Sequence, residues 1–286
     1  MVDEISKPNV SQSNPVVYKV GDIDDLYLAV SKITTHAYNK NKSTNARCLS
    51  TATGFFYVNG SSNYFLVTNR HVIIDENAGL YPNILRLYLH TDEDDLTKND
   101  NFDIPLYNGV KKRWLEPKGE MYDVVAIPIE KNFLNRGCLT CFSDDHFFPE
   151  EYRLSLGQEV LVFGYPLGFW HDHKHNLPVI RSGTVASAYP IPYNQNPYFL
   201  VDSRLHKGTS GAPVITRSPT RLYKNVQVAR DKKRWGRSDE EIKQDKLRNQ
   251  RFLLGINAAT FPFPKSKQSS DLNAVYFAHV LRIITT

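Results

Sequence analysis

Cysteine is almost missing from this chain. Only Cys48, Cys138 and Cys141 occur in 286 residues. Three thiols cannot pair off completely, so a disulfide framework is excluded and a reducing compartment is expected. Cys138 and Cys141 have C-x-x-C spacing, but no second pair exists and no helical pattern follows. Plain free thiols are the expectation, not a zinc or redox motif. Long apolar runs are missing as well. No stretch approaches the roughly 20 apolar residues of a membrane span, so no membrane association is expected. The N-terminus, "MVDEISKPNVSQSNP", has no basic start followed by an apolar run. It predicts no secretory leader and hence a cytoplasmic protein. Internal repeats and low-complexity tracts are absent, which sets aside solenoids and fibres.

What is present is many short strand-like runs. They include "ATGFFYV" (52–58), "NYFLVTN" (63–69), "ILRLYLH" (84–90), "YDVVAIPI" (122–129), "EVLVFGYP" (159–166), "IRSGTVASAY" (180–189), "YFLVDSRL" (198–205), "SGAPVIT" (210–216) and "RFLLGINAA" (251–259). "LYLAVSKI" (26–33) and "NAVYFAHVLRII" (273–284) flank them. Each is rich in Val, Ile, Phe and Tyr and is bounded by Gly, Pro, Asn or Asp, the pattern of an all-β barrel or sandwich. Asn59-Gly60, between two alternating runs, signals a hairpin. Residues 1–15 are polar and predict a disordered tail, leaving 16–286 as the folded domain.

One segment departs from this pattern. Residues 217–251 hold twelve Lys/Arg against five Asp/Glu, a surplus of +7 in a chain whose net charge is only +5. Within it, "SDEEIKQDKLRNQ" reads as a helix, with Ser238 as N-cap and Glu241 as its capping-box partner. Such a basic insertion reads first as a solvated helical excursion, and beside that as a surface for an acidic protein or, less readily, nucleic acid.

The chemistry gathers at "HKGTSGAPVI" (206–215), where Ser210 stands between Gly208 and Gly211. A neutral serine is a poor nucleophile. It needs a base within hydrogen-bond reach, and the base needs an orienting acid. "YFLVTNRHVI" puts His71 just past a buried run, and "MYDVVAIPI" opens a strand at Asp123. The order is His71, Asp123, Ser210. That differs from the chain order of the α/β-hydrolases and the subtilisins. The hydrolase elbow G-x-S-x-G fails too, because Ala212 holds its last glycine position.

Together, "TGFFYV", "FLVTNRHVI", "YDVVAIPI", "VLVFGYPLG", "IRSGTVAS", "FLVDSRLHKGTSGAPVI" and "LLGINAA" resemble the chymotrypsin-type, trypsin-like serine peptidases. The likeness is to the bacterial HtrA-like, disulfide-free members, without a following PDZ domain. It covers about residues 45–215 and 251–284. It implies two six-stranded antiparallel β-barrels, the first about 16–145 and the second about 146–286, with the helical basic insertion in the second. It implies His71 as general base, Asp123 as the acid that orients it, and Ser210 as nucleophile. The N–H groups of Gly208 and Ser210 would form the oxyanion hole. No cofactor or metal is implied, and the substrate is a polypeptide. Arg204 and His206, six and four residues before Ser210, fall where the family builds its specificity pocket. Two basic side chains there favour an acidic or amide side chain before the scissile bond.

The chain departs from the secreted digestive members at Thr209, where they carry an aspartate before the serine. Activation by terminal cleavage is therefore not expected, whereas a regulated intracellular effector fits. The competing class is a catalytically silent binding module acting through 217–251 on nucleic acid or an acidic partner. Two polar loops complete the reading. "HDHKH" holds His171, His173 and His175 beside Asp172, an alternation that could chelate a metal but needs none. Asp92, Glu93, Asp94 and Asp95 lack calcium-loop spacing and read as a solvated loop.

Overall fold

The structure is a computed structural model that describes residues 16–37, 47–76, 79, 81–119, 121–168, 172–218, 222–224, 249–262 and 269–286. The predicted tail 1–15 lies outside these residues. So do His171, the predicted helix from Ser238, and most of the basic insertion 217–251.

Seventeen strands carry the described fold. In the N-terminal half they are β1 (Val30–Ala37), β2 (Arg47–Val58), β3 (Tyr64–Thr68), β4 (Ile84–His90), β5 (Asn99–Pro105), β6 (Tyr107–Asn108), β7 (Lys111–Lys112), β8 (Val125–Ile129) and β9 (Phe142–Ser143). The C-terminal half contributes β10 (Tyr152–Leu154), β11 (Glu159–Gly164), β12 (Val179–Val185), β13 (Tyr198–Asp202), β14 (Pro213–Thr216), β15 (Leu222–Lys224), β16 (Leu253–Pro262) and β17 (Ser269–Phe277). The described α-helices are short: α1 (Arg70–Ile73), α2 (Lys131–Leu134) and α3 (Val280–Ile284). None is long and apolar enough to cross a membrane.

The all-β, two-unit architecture expected from the sequence is present. The second unit is a closed six-stranded barrel in the order β11-β12-β13-β17-β16-β14. The first is a seven-stranded sheet ordered β5-β4-β1-β2-β3-β8, with β9 added in parallel to β2. Its ladder does not close into a second barrel. Pro105 ends β5 and Pro128 sits in β8, and neither has an N–H to offer a neighbouring strand. The chain between them spans the seam instead. Arg113 N–H donates to the Leu106 carbonyl, and Leu115 exchanges two hydrogen bonds with Ala126 of β8.

The central strands are apolar on both sides because they face two cores. In β3, Leu66 packs inside the first sheet with Ile33, Phe56, Leu85 and Ile127. Its neighbours Phe65 and Val67 point the other way, into a core shared with Phe163, Tyr165, Ile215 and Ile256 of the second barrel. That shared core also takes Val280, Leu281 and Ile284 of α3. A third cluster, including Val160, Phe199, Val214 and Leu254, fills the second barrel. The two units are thus fixed to each other by an apolar layer beneath their junction.

Some expectations shift at the edges. The run 26–33 becomes strand only at Val30, after two 3-10 turns. The run 273–284 is strand to Phe277 and then helix. Of the basic segment, Leu222–Lys224 forms β15, which pairs antiparallel with β10. Both C-x-x-C thiols are free. Burial pushes the Cys141 thiol up to about 11, so it is not an activated thiolate. The acidic loop is folded on itself: Asp92 accepts from Asp94 N–H, and Lys98 Nζ lies 2.7 Å from its other oxygen. Asp172 likewise caps its own loop, accepting from the N–H groups of Lys174 and His175 and pairing with His175 Nδ1 at 2.6 Å.

Candidate active site

Strand register brings the base and the acid together. Thr68, the last residue of β3, pairs with Val125, the first of β8. The strands are antiparallel, so moving forward from Thr68 matches moving backward from Val125. Asp123 therefore falls beside the residues that follow β3. There Asn69 is still extended, and the chain then turns into α1. Val72 and Ile73 are buried and seat that single turn on the sheet. His71, on its other side, stays partly exposed.

Asp123 holds His71 twice. Its Oδ1 accepts the backbone N–H of His71 at 2.9 Å, and its Oδ2 lies 2.5 Å from the ring Nδ1. An ionised carboxylate only accepts, so Nδ1 carries the proton and the Nε2 lone pair of the neutral ring is left free. Asn69 Nδ2 donates to the Asp123 carbonyl at 2.7 Å, fixing the acid's own backbone. Burial disfavours the charged imidazole. The hydrogen bond and charge of Asp123, helped by Asp75, outweigh that and hold the His71 pKa above its ordinary value. The neighbouring Arg70 is anchored outward by Glu76 and Glu116.

Ser210 comes from the second barrel, and its Oγ shares no hydrogen bond with His71 among the described residues. Its turn is a hydrogen-bonded knot against β2 and β3. Thr53 N–H donates to the Ser210 carbonyl at 3.0 Å, and Thr53 Oγ1 donates to the Gly208 carbonyl at 2.8 Å. Thr68, three residues before His71, donates its Oγ1 to the Thr53 carbonyl at 2.9 Å. So Thr53 links the serine turn to the end of the strand that leads to the histidine. Gly208 and Gly211 have φ of 97° and 82°, a region L side chains rarely enter. At Gly211 sterics add to this. A Cβ there would lie 2.3 Å from the Thr53 carbonyl oxygen and 2.4 Å from Thr68 Oγ1. Ser210 Oγ lies 3.4 Å from the Ala258 carbonyl.

Backbone amides are left over at this turn. Among the described residues, the N–H groups of Thr209, Gly211 and Ala212 are satisfied by His206, Asn257 and Thr209 carbonyls. Those of Gly208 and Ser210 have no such acceptor.

Upstream, Arg204 is exposed and His206 half-buried, with buried Leu205 between them. The Arg204 carbonyl accepts both Nε and Nη2 of Arg181, at 3.1 and 2.8 Å. The His206 carbonyl accepts from Thr209 N–H and Oγ1. Among the described residues no group of three or more His, Cys, Asp or Glu is arranged to hold a metal ion.

Reading the sequence alone misses Thr53, Asn69 and Asn257. Each is a buried polar residue at or within an apolar run, and that mismatch is the one signal it leaves.

The profile of the trypsin-like peptidase domain family matches residues 52–221. No curated protein matches the chain. Among solved structures, the serine endoprotease from Yersinia pestis aligns with a TM-score of 0.47 at 11% identity, covering 91% of this chain. The chain spans 62% of the length of that protein. The family match takes in more than half of the sequence, including Asp123, Gly208, Ser210 and the His71 turn, and the chain belongs to the trypsin-like peptidase domain family.

Proposed function

We propose that the protein is a serine endopeptidase working through His71, Asp123 and Ser210. The observation that carries the proposal is the pair of hydrogen bonds that His71 donates to the Asp123 carboxylate, which fixes both the tautomer and the orientation of the ring. With Nδ1–H committed to Asp123, Nε2 takes the Ser210 hydroxyl proton as Oγ attacks the scissile carbonyl. The developing oxyanion is met by the N–H groups of Gly208 and Ser210. His71 then gives the proton to the leaving amine, and the acyl group stays on Ser210. A water attacks the acyl-enzyme, again losing its proton to His71. The acid product leaves and the serine is restored. No cofactor takes part in these steps.

The substrate is a polypeptide whose side chain before the scissile bond is acidic or an amide. Arg204 and His206 support this reading, and Arg181, fastened to the Arg204 backbone, adds a third base at the same place.

A fluorophosphonate probe tests the enzyme reading. It should modify wild-type protein at Ser210 and fail to modify Ser210→Ala. Hydrolysis of an unstructured protein substrate should vanish in the same variant. Turnover by Ser210→Ala at the wild-type rate would overturn the assignment.

A further inference from the structure

Backbone amides can stabilise an oxyanion only if something aims them. In a trans peptide the C=O and N–H point in opposite directions. The only described cis bond is Tyr189–Pro190, so the peptides of this turn are trans. Each free N–H is therefore aimed by whatever holds the carbonyl of its own peptide. For Gly208 that carbonyl belongs to Lys207, and it accepts the backbone N–H of Leu167 at 2.5 Å. For Ser210 it belongs to Thr209, and it accepts two donors, Asn257 Nδ2 at 2.9 Å and Ala212 N–H at 3.0 Å. One amide is aimed by backbone alone, and the other by backbone and a side chain together.

Asn257 lies in β16 within "FLLGINAA", where it is buried among apolar neighbours. Its backbone also grips the nucleophile turn. Its carbonyl accepts Gly211 N–H and its N–H donates to the Ala212 carbonyl, both at 2.9 Å. Its Oδ1 is buried without a hydrogen-bond partner among the described residues. A leucine or valine would fill the strand without that uncompensated oxygen, so the residue's use lies in its donor. From the opposite side, Thr53 Oγ1 holds the Gly208 carbonyl, and with it the peptide between the two aimed amides. Thr53 is fully buried, and Tyr165 N–H donates to the same hydroxyl at 3.1 Å.

We propose that the Asn257 side chain, beside Ala212 N–H, positions the oxyanion-binding N–H of Ser210, with Thr53 of the first sheet bracing the adjoining peptide. This rests on Ser210 being the nucleophile. The two side chains come from different units, so the oxyanion hole depends on the junction between the sheet and the barrel.

The test is made on the full-length enzyme, with kcat, KM, the pH profile of kcat/KM and inhibition by a peptide aldehyde. The aldehyde forms a tetrahedral adduct whose oxygen needs the same amides. In Asn257→Leu the Thr209 carbonyl keeps only Ala212 N–H, so kcat should fall by about tenfold or more, short of the loss from deleting one oxyanion donor, about 10²–10³-fold. KM should stay within about twofold of wild type by the same logic of binding only the transition state. Aldehyde affinity should fall by the same factor as kcat/KM, and the acid limb of the pH profile should not move. Asn257→Asp, which puts an acceptor against the Thr209 carbonyl, should behave alike. If Asn257→Leu does not fold, Thr53→Val and Thr53→Ser carry the test. The first should lose turnover and aldehyde affinity together, and the second should recover most of both. Folded variants with unchanged kcat, or with kcat and aldehyde affinity falling in different proportion, overturn the proposal. Absence of fluorophosphonate labelling in the wild type is a separate result, because it removes the enzyme reading itself.

Discussion

Asp123 contacts His71 at two points, the backbone amide and the ring, and both oxygens of the carboxylate are used. The amide contact fixes where the acid sits, and the ring contact fixes which nitrogen is protonated. The same contacts set the pH behaviour. Burial lowers the His71 pKa, and the charge and hydrogen bond of Asp123 raise it by more. Activity needs the neutral ring, so kcat/KM should rise with pH through a limb placed above the ordinary histidine value.

Asp123→Asn separates the two contributions. An asparagine keeps the shape but loses the charge, and its NH2 can force the ring into the wrong tautomer. We expect a kcat loss of about 10⁴-fold, the size seen when this acid is neutralised in other serine proteases. The residual acid limb should move to lower pH, because the charge that raised the His71 pKa is gone. A pH-rate profile of wild type and variant checks both. An unmoved limb would mean that Asp123 does not control the base.

Gly211→Ala tests the knot beneath the nucleophile. A Cβ would strike the Thr53 carbonyl oxygen and Thr68 Oγ1, on a backbone with φ of 82°. Left-handed strain and overpacking together should cost about 2–5 kcal/mol. Chemical denaturation reads the loss. Fluorophosphonate labelling should slow as well, because the turn cannot shift without moving Ser210.

Tyr57→Phe should separate stability from catalysis. The Tyr57 ring is fully buried and stacks on Phe147, while its hydroxyl donates to Asp144 Oδ1 at 2.5 Å. Removing a hydrogen bond to a charged acceptor should cost about 1.5–3 kcal/mol. Among the described residues no hydrogen bond links this contact to His71 or Ser210, so kcat should hold while the melting temperature falls.

The sequence was legible where one face of the chain dominates its neighbours. The run 84–90 matches β4 residue for residue, because "ILRLYLH" alternates between partly exposed and buried positions from Ile84 to Leu89. β5, "NDNFDIP", gives no such signal. It is an edge strand that buries only Ile104, and polar residues suffice for the rest. The turn from strand to helix after Phe277 was hidden because apolar residues continue through α3 to fill the shared core. At the candidate site, Ser210 and its glycines carry a local pattern, whereas His71 and Asp123 were found by position at strand ends. Thr53 and Asn257 act across long separations in the chain: Thr53 lies 155 residues from Gly208, and Asn257 lies 48 from Thr209. No local window shows that a buried polar residue is there to hold a distant carbonyl.

Substrate choice gives the last prediction. Arg204 is exposed, its carbonyl is clasped by the Arg181 guanidinium, and His206 follows two residues later. On the proposed reading, Arg204, Arg181 and His206 line the site of the residue before the scissile bond. A carboxylate or amide side chain can pair with the guanidinium groups, whereas an aliphatic one offers them no hydrogen bond. A peptide library should therefore be cut after Glu, Asp, Gln or Asn in preference to Leu, Val or Ala, by about tenfold or more. The preference for acids over amides should shrink at high salt, since exposed charges are screened. Arg204→Ala and His206→Gln should each weaken it without moving the acid limb set by His71. A library cut mainly after aliphatic residues, or an unchanged profile in both variants, would show that these bases face away from the substrate.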